Sequence, residues 1–110
     1  MGKYPDIISN LPDADIPVEG VRGKLLQAGE RQIVFFDIDP VGEIAPHSHG
    51  AQWGVVLEGE MELTIDGQTR TCRKGDSYYI PAGVVHGATF REHFRAMDMF
   101  AEPDRYKPRK

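Results

Sequence analysis

The residues best suited to chemistry are histidines, and two of the four in the chain, His47 and His49, lie two positions apart. In an extended segment, side chains at positions i and i+2 project from the same face, so both imidazoles can reach one point. Gln52 follows with an amide oxygen that can coordinate, and His86 comes after the turn-forming sequence Pro81-Ala82-Gly83. Imidazole nitrogens with a carbonyl-type oxygen suit divalent Zn, Fe, Mn, Co, Ni or Cu. These residues predict a metal site; the alternative is that the histidine pair is solvated or satisfied by hydrogen bonds, as isolated pairs usually are.

A second group of candidates lies near the C-terminus, where alternation along residues 92–100 places Asp98 and Phe100 on one strand face. If this face points inward, Asp98 is an acid in an apolar pocket, where burial would raise its pKa and a metal ion would lower it. The alternative is that Asp98 points to solvent or pairs with an arginine. Arg105 lies close enough in sequence to reach the mouth of a barrel, where its guanidinium could bind a substrate carboxylate through two hydrogen bonds. For Arg105 the alternative is a solvated position in a tail.

The elements that must position these residues are short and extended. Twelve glycines and eight prolines divide the chain, and no stretch of ten or more residues shows an apolar period of 3.6 residues. The clearest strand, residues 60–65, alternates strictly and runs into Asp66-Gly67, which suits a two-residue type I′ hairpin turn. Its partner and the other predicted strands cover residues 68–73, 21–28, 32–38, 52–57, 77–80 and 92–100. The pattern predicts an all-β fold, either a sandwich or a barrel.

Length, charge and cysteine content limit the functional classes. A chain of 110 residues has room for one domain. The formal net charge is −4, and four of the thirteen lysines and arginines lie in the last six residues, so the body is acidic and a poor partner for nucleic acid. The single cysteine, Cys72, cannot close an intrachain disulfide, and no apolar run is long enough to cross a bilayer. Without an apolar signal region, the expected location is the cytoplasm, away from membranes.

Two segments resemble the signatures of the small single-domain cupins. The first is residues 42–60, with Gly42 to His49, Gln52 and the sequence Leu-Glu-Gly-Glu; the second is residues 75–86, which matches almost residue for residue. The resemblance implies a double-stranded β-helix, or jelly-roll barrel, of six to eight strands. It also implies that a metal is held inside the barrel by His47, His49, Gln52 and His86. Many cupins carry a glutamate ligand where Gln52 stands, and the gap between His49 and Gln52 is one or two residues shorter than usual.

A narrower resemblance is to the cupins that linearise 4,5-unsaturated uronates during pectin or alginate breakdown. It rests on the histidine pair with a glutamine in the ligand position, on residues 75–88, and on Asp98-Met99-Phe100 followed by an arginine. In that family an Asp, a Phe and an Arg line the substrate site, and these roles map onto Asp98, Phe100 and Arg105. The family places a second polar residue two positions after the ligand glutamine, where this chain has Gly54.

The resemblance implies a metal-dependent cupin that acts on a small, oxygen-rich molecule. Its most concrete form is a non-redox isomerisation or ring opening of an unsaturated uronate in carbohydrate metabolism, with Asp98 moving a proton. Because an amide in place of glutamate leaves the site with one more positive charge, the metal would be a stronger Lewis acid, which favours such chemistry over a cupin dioxygenase. A non-catalytic cupin that binds a small molecule is the third alternative, and whether the chain is an isomerase- or lyase-type enzyme stays open.

The rest of the chain is expected to form a barrel with a segment at each end. The barrel is expected over residues 21–101, with an N-terminal arm or edge strand over residues 1–20. A basic tail over residues 102–110 is expected to be solvated rather than a binding element.

Five further side chains have expected structural roles or none in the site. Trp53, Val55 and Leu57 share one strand face, which predicts packing between sheets as the favoured account, or contact with a second subunit in a homodimer. His93 is expected away from any metal. Cys72 lies in a polar strand without an activating neighbour and is expected to be inert.

Overall fold

The computed structural model describes residues 4–109 and consists almost entirely of strands. A four-residue helix, α1 (Asp6–Ser9), precedes nine strands. The strands are β1 Val21–Ala28, β2 Arg31–Ile38, β3 Gly42–His47, β4 Gln52–Glu58, β5 Glu60–Ile65, β6 Gln68–Arg73, β7 Ser77–Ile80, β8 His86–Phe90 and β9 Phe94–Phe100. Across the described range, no helix is long and apolar enough to cross a membrane.

The nine strands form two antiparallel sheets that enclose one core. The first sheet has five strands in the order β1-β2-β9-β4-β7, and the second has four in the order β3-β8-β5-β6. Neighbours in each sheet are mostly distant in sequence, as in a jelly roll. The predicted all-β jelly-roll barrel is therefore confirmed, with nine strands where the resemblance implied six to eight.

The alternating apolar pattern located seven of the nine strands to within two residues, whereas β3 and β8 were not predicted. β3 contains Pro46, and its pairing with β8 shifts register between Ile44 and His47. β8 is only five residues long and contains Gly87. Neither segment alternates along its own sequence, so its extended form depends on pairing with distant strands.

The hairpin between β5 and β6 has the predicted two-residue turn. Ile65 pairs with Gln68 across it. Asp66 and Gly67 adopt φ values of 50° and 79°, the positive angles that a type I′ turn requires. This turn fixes the register of the hairpin.

β9 lies at the centre of the five-stranded sheet, between β2 and β4. Its alternate side chains are buried: Phe94, Ala96, Asp98 and Phe100. The intervening side chains face outward, and Met99 is exposed. Of the two alternatives for the last strand, the structure therefore adopts the one that places Asp98 inside the barrel.

The outer face of the five-stranded sheet carries a row of apolar side chains across all five strands. Cross-strand pairing aligns Leu26, Ile33, Met99, Trp53 and Tyr79. Trp53 is 42% exposed and Tyr79 is 59% exposed, so the interpretation of the Trp53 face as packing between the sheets is wrong. Gly54 and Val56 face the interior instead. The exposed row is available to a second subunit, and the homodimer stays a prediction.

The terminal segments lie along the barrel. Ala14 forms an isolated β-bridge with Pro108, and the Asp15 N–H donates to the Lys107 carbonyl oxygen at 2.7 Å. Tyr106 packs against the hydrophobic core. Long-range contacts that local composition does not reveal therefore anchor this segment, while Lys107, Pro108 and Arg109 stay exposed. A solvated tail, as opposed to a binding element, stays a prediction. The first three residues of the predicted arm and the last residue of the predicted tail lie outside the described range.

Replacing Trp53 by Glu would place a charge in the apolar row. If this row joins two subunits, the variant should sediment as a monomer where the unsubstituted protein is a dimer at micromolar concentration, measured by analytical ultracentrifugation. Val85→Glu is the control, since Val85 is an exposed apolar residue away from the row, and it should not alter association. A monomeric unsubstituted protein would contradict the homodimer.

Candidate metal centre

Three of the four predicted ligands converge inside the barrel. His47 ends β3 and His86 begins β8, where the two are cross-strand partners. His49 lies two residues beyond β3. Ligand atoms of the three rings all lie within 4.8 Å of one another, and their ring centroids are 4.5 to 5.4 Å apart. Pairing of the two strands that the sequence pattern missed thus assembles the histidine group.

Each of the three imidazole rings uses one nitrogen for a local backbone carbonyl. The Nδ1 atom lies 2.8 to 3.0 Å from a carbonyl oxygen in each case, namely Ala45 for His47, Gly50 for His49 and Val84 for His86. A carbonyl oxygen can only accept, so Nδ1 carries a proton in these pairs, and in the neutral ring Nε2 then keeps its lone pair. Each ring therefore offers Nε2 as a free ligand atom.

Burial keeps two of these imidazoles in the neutral form. Desolvation lowers the pKa of His49 to about 4, although the hydrogen bond to Gly50 opposes the shift, and Arg105 adds to it. Desolvation likewise lowers the pKa of His86. Neutral imidazole is the form that coordinates a metal. The donor set, three free imidazole nitrogens at short mutual distances, fits a divalent transition metal.

The loop that carries His49 is held from two sides. The His49 carbonyl oxygen accepts the Gly83 N–H at 2.8 Å, and the Gly50 N–H donates to Glu102 Oε1 at 3.2 Å. The same Glu102 oxygen lies 3.7 Å from His49 Nδ1. Such contacts orient a ligand ring from outside the coordination shell. Sequence reasoning missed Glu102, because it reaches the loop only through the path of the chain after β9.

Gln52, the predicted fourth ligand, begins β4 and lines the same cavity as the histidines. Its Nε2 donates to Asp98 Oδ2 at 2.6 Å. The amide nitrogen is therefore engaged, and Oε1 is the atom of Gln52 that could coordinate. Coordination by Gln52 stays a prediction.

Asp98 is 1% exposed, and its carboxylate is held by neutral donors. The Tyr78 hydroxyl lies 2.9 Å from both carboxylate oxygens and donates to them. Tyr78 on β7 and Asp98 on β9 are separated by β4, on which Gly54 pairs with both. A Cβ atom at position 54 would lie 2.5 Å from Tyr78 Oη and from Asp98 Oδ2. The absence of a side chain at Gly54 therefore allows Tyr78 to reach across β4.

Burial also sets the protonation behaviour of this carboxyl group. Desolvation raises the pKa of Asp98 to about 7, while the hydrogen bonds from Gln52 and Tyr78 act in the opposite direction. A carboxyl group that titrates near neutral pH can hold or release a proton. The contact of Tyr78 with Asp98 depends on the strand order β7-β4-β9, which the residue pattern along the chain does not reveal.

The predicted substrate residues Phe100 and Arg105 line the same cavity. The Phe100 ring centroid is 5.6 Å from that of His49, and Arg105 Cζ lies 6.0 Å from the Phe100 ring and 4.5 Å from the Tyr106 ring. Arg105 Nε is buried without a hydrogen-bond partner in the described part of the chain. A guanidinium on aromatic rings with a free N–H suits a carboxylate ligand. Substrate binding by these two residues stays a prediction.

The cavity has a volume of about 330 Å³, which is in the range of small-molecule sites. Its polar side chains are those of His47, His49, His86, Gln52, Tyr78, Asp98, Arg105 and Tyr106. Both sheets supply the apolar remainder of its wall, which includes Phe36, Ile38, Met61, Leu63 and Phe90.

His93 and Cys72 are not among the residues that line this cavity. Both nitrogens of the His93 ring face carboxylates: Nδ1 lies 3.1 Å from Glu58 Oε2, and Nε2 contacts Asp37. His93 is therefore away from the histidine group, as predicted. Cys72 is buried, and burial raises the pKa of its thiol, which disfavours the reactive thiolate.

Comparison with known sequences relates the chain to one family. The profile of the cupin domain family matches residues 34–100. The HTH-type transcriptional regulator PuuR of Escherichia coli strain K12 is 34% identical over 90 residues, which cover 74% of this chain and 48% of that protein. H2HPP isomerase of Bacillus subtilis is 34% identical over 71 residues, or 63% of this chain and 30% of that protein. The chain spans half or less of the length of these curated relatives.

Solved structures are similar over most of the chain. KdgF from Halomonas sp. is 27% identical with a TM-score of 0.73, covering 84% of this chain and 87% of that one. An RmlC-like cupin from Shewanella frigidimarina is 28% identical with a TM-score of 0.75, covering 87% of each chain.

Replacing His47 by Ala should abolish metal binding, because it removes one of three convergent nitrogen ligands. Elemental mass spectrometry of protein purified without a nickel column should find about one ion per chain before the substitution and little after it. His93→Ala is the matched control and should retain the metal. Gln52→Ala distinguishes four ligands from three. An unsubstituted protein that takes up no divalent metal on reconstitution would contradict the site.

Replacing Gly54 by Ala should lower the free energy of unfolding by about 1–3 kcal/mol, because the new methyl group overlaps Tyr78 and Asp98. Urea denaturation of the metal-free protein measures the loss. Tyr78→Leu, which removes the ring, should reduce the cost of Gly54→Ala when the two are combined. Strictly additive losses would show that the glycine is not needed for this reason.

Proposed function

Because the chain belongs to the cupin domain family, we propose that it is a metal-dependent enzyme that isomerises a small, oxygen-rich acid without redox chemistry. In its most concrete form, the reaction opens the ring of a 4,5-unsaturated uronate. The observation that carries the proposal is the buried Asp98 carboxyl group in the same cavity as three convergent histidines. The motifs shared with uronate-linearising cupins and the similarity to H2HPP isomerase support it.

His47, His49 and His86 would hold one divalent transition metal, with Gln52 as a fourth ligand. The donor atoms suit Zn, Ni, Fe, Mn, Co or Cu. Such an ion, when bound, supplies Lewis-acid polarisation of a substrate oxygen. Nδ1–H bonds to backbone carbonyls would keep each ring in the tautomer that presents Nε2.

Asp98 would transfer the proton. Ring opening of an unsaturated uronate gains and loses no atoms: the anomeric hydroxyl loses a proton, the bond from the anomeric carbon to the ring oxygen breaks, and an aldehyde forms. The released enolate becomes a ketone when the neighbouring carbon takes up a proton. A buried carboxyl group can accept the first proton and deliver the second. Tyr78 and Gln52 would hold Asp98 in one orientation, since both donate to its oxygens.

Arg105 and Phe100 would orient the substrate. A guanidinium can bind a uronate carboxylate through two parallel hydrogen bonds. The Phe100 ring, which lies 5.6 Å from the His49 ring and 6.0 Å from Arg105 Cζ, would pack against the apolar face of the sugar. The carboxylate would then lie at one end of the cavity and the reacting atoms next to the histidines.

A second candidate function is non-catalytic binding of a small molecule. The similarity to the transcriptional regulator PuuR, over 74% of this chain, favours it. In this case the metal and the cavity would hold a ligand without converting it. Turnover separates the two candidates, because both would bind a small acid in the same place.

Replacing Asp98 by Asn should reduce turnover of a 4,5-unsaturated uronate by about 100-fold or more, because the proton carrier is lost. Loss of the ultraviolet absorbance of the conjugated double bond measures the rate, and metal content should be unchanged. Glu30→Gln, at an exposed turn position, is the control for removal of one carboxylate.

Three outcomes would contradict parts of this proposal. Full turnover by the Asp98 variant would exclude the role of Asp98. Binding of the uronate without turnover by the unsubstituted protein would favour the non-catalytic function. Oxygen consumption during turnover would favour a dioxygenase.

A further inference from the structure

Residues 101–109 form a C-terminal strap that runs from the loop that carries His49 to the N-terminal segment around Ala14. At one end, Glu102 accepts the Gly50 N–H beside His49. At the other end, Pro108 bridges Ala14. The middle of the strap, Arg105 and Tyr106, lines the cavity.

A buried amide, that of Gln32, holds the middle of the strap, and Gln27 Nε2 donates to the Pro103 carbonyl oxygen nearby. Gln32 is 1% exposed and faces inward near the start of β2. Its Oε1 accepts the Tyr106 N–H at 3.0 Å, and its Nε2 donates to the Tyr106 carbonyl oxygen at 2.7 Å. The second proton of Nε2 goes to Gln27 Oε1 at 2.8 Å. The side chain thus pairs with both backbone polar groups of one strap residue.

Arg105 directly precedes the attached residue in the strap. Its guanidinium lies against the rings of Tyr106 and Phe100, and Arg105 Nε makes no hydrogen bond within residues 4–109. Stacking on an aromatic ring constrains the height of a guanidinium above the ring more than its direction. Its direction therefore depends also on the backbone at positions 105 and 106, where Gln32 pairs with both polar groups of Tyr106.

We propose that Gln32 is a positioning residue, which fixes the backbone of Tyr106 and thereby aims Arg105 into the cavity. The consequence for substrate binding rests on the proposed function, in which Arg105 binds the substrate carboxylate. The attachment itself does not rest on it. Gln32 belongs to neither of the cupin-like sequence segments and is far from the strap in sequence, so only the fold connects the two.

The attachment can be tested without substrate. Gln32→Met keeps the length of the side chain and removes both hydrogen bonds to Tyr106. The Tyr106 amide should therefore exchange with deuterium roughly tenfold faster or more. Gln68→Met, at an exposed position of β6, is the matched control and should leave this amide unchanged. Gln32→Asn, which keeps a buried amide but shortens it by one methylene, provides a second variant if the first does not fold. An unchanged exchange rate at Tyr106 in a folded Gln32 variant would overturn the proposal.

The effect on binding is tested with the metal-loaded protein and a 4,5-unsaturated uronate. Gln32→Met and Arg105→Gln should each raise KM about tenfold or more with kcat within about twofold, and the double variant should be no worse than Arg105→Gln alone. Additive increases in KM would overturn the connection between Gln32 and Arg105. If the unsubstituted protein does not turn over the uronate, the most concrete form of the proposed function fails, and the exchange rate at Tyr106 still decides whether Gln32 fixes that backbone.

Discussion

The register of β9 between β2 and β4 is the constraint on which the interior depends. Side chains alternate along a strand, so a shift by one residue would turn Asp98 and Phe100 outward and bring Met97 and Met99 into the cavity. Pairing on both edges prevents this shift, since Asp98 faces Val34 on one side and Gly54 on the other. Because Phe100 leads directly into the strap, the same register also sets where Arg105 can lie.

The cavity combines few charges with a large apolar wall. The histidines and Gln52 contribute no negative charge, Asp98 is the carboxylate among the lining residues, and Arg105 is the guanidinium. In a medium of low dielectric constant, each of these charges acts over a longer distance than it would in water. A ligand that carries both a carboxylate and a reactive oxygen would therefore meet a complementary group for each. Such a distribution fixes the orientation of a ligand more strongly than it raises affinity.

The residue pattern along the chain predicted the features that depend on residues close in sequence. Alternation predicted seven strands, and the types and spacing of the histidines predicted the three that converge. β3 and β8 were not predicted, because a proline and a bulge interrupt the alternation of β3 and because β8 is short. The anchoring of the strap was not predicted either, because Gln32 and Tyr106 are 74 residues apart in sequence and only the fold brings them together. For Asp98 the sequence allowed two environments, and the pairing of β9 on both edges is the physical reason for the buried one.

The contact of Tyr78 with Asp98 across Gly54 has a consequence for how this site can change over time. The volume above β4 accommodates either a side chain at position 54 or the Tyr78 ring, because the two would overlap. A polar residue at position 54 and a tyrosine at position 78 are therefore mutually exclusive in this geometry. Either would supply a hydrogen-bond partner to the same carboxylate from a different strand. A change from this arrangement to the other therefore requires a smaller residue at position 78 before a side chain can occupy position 54.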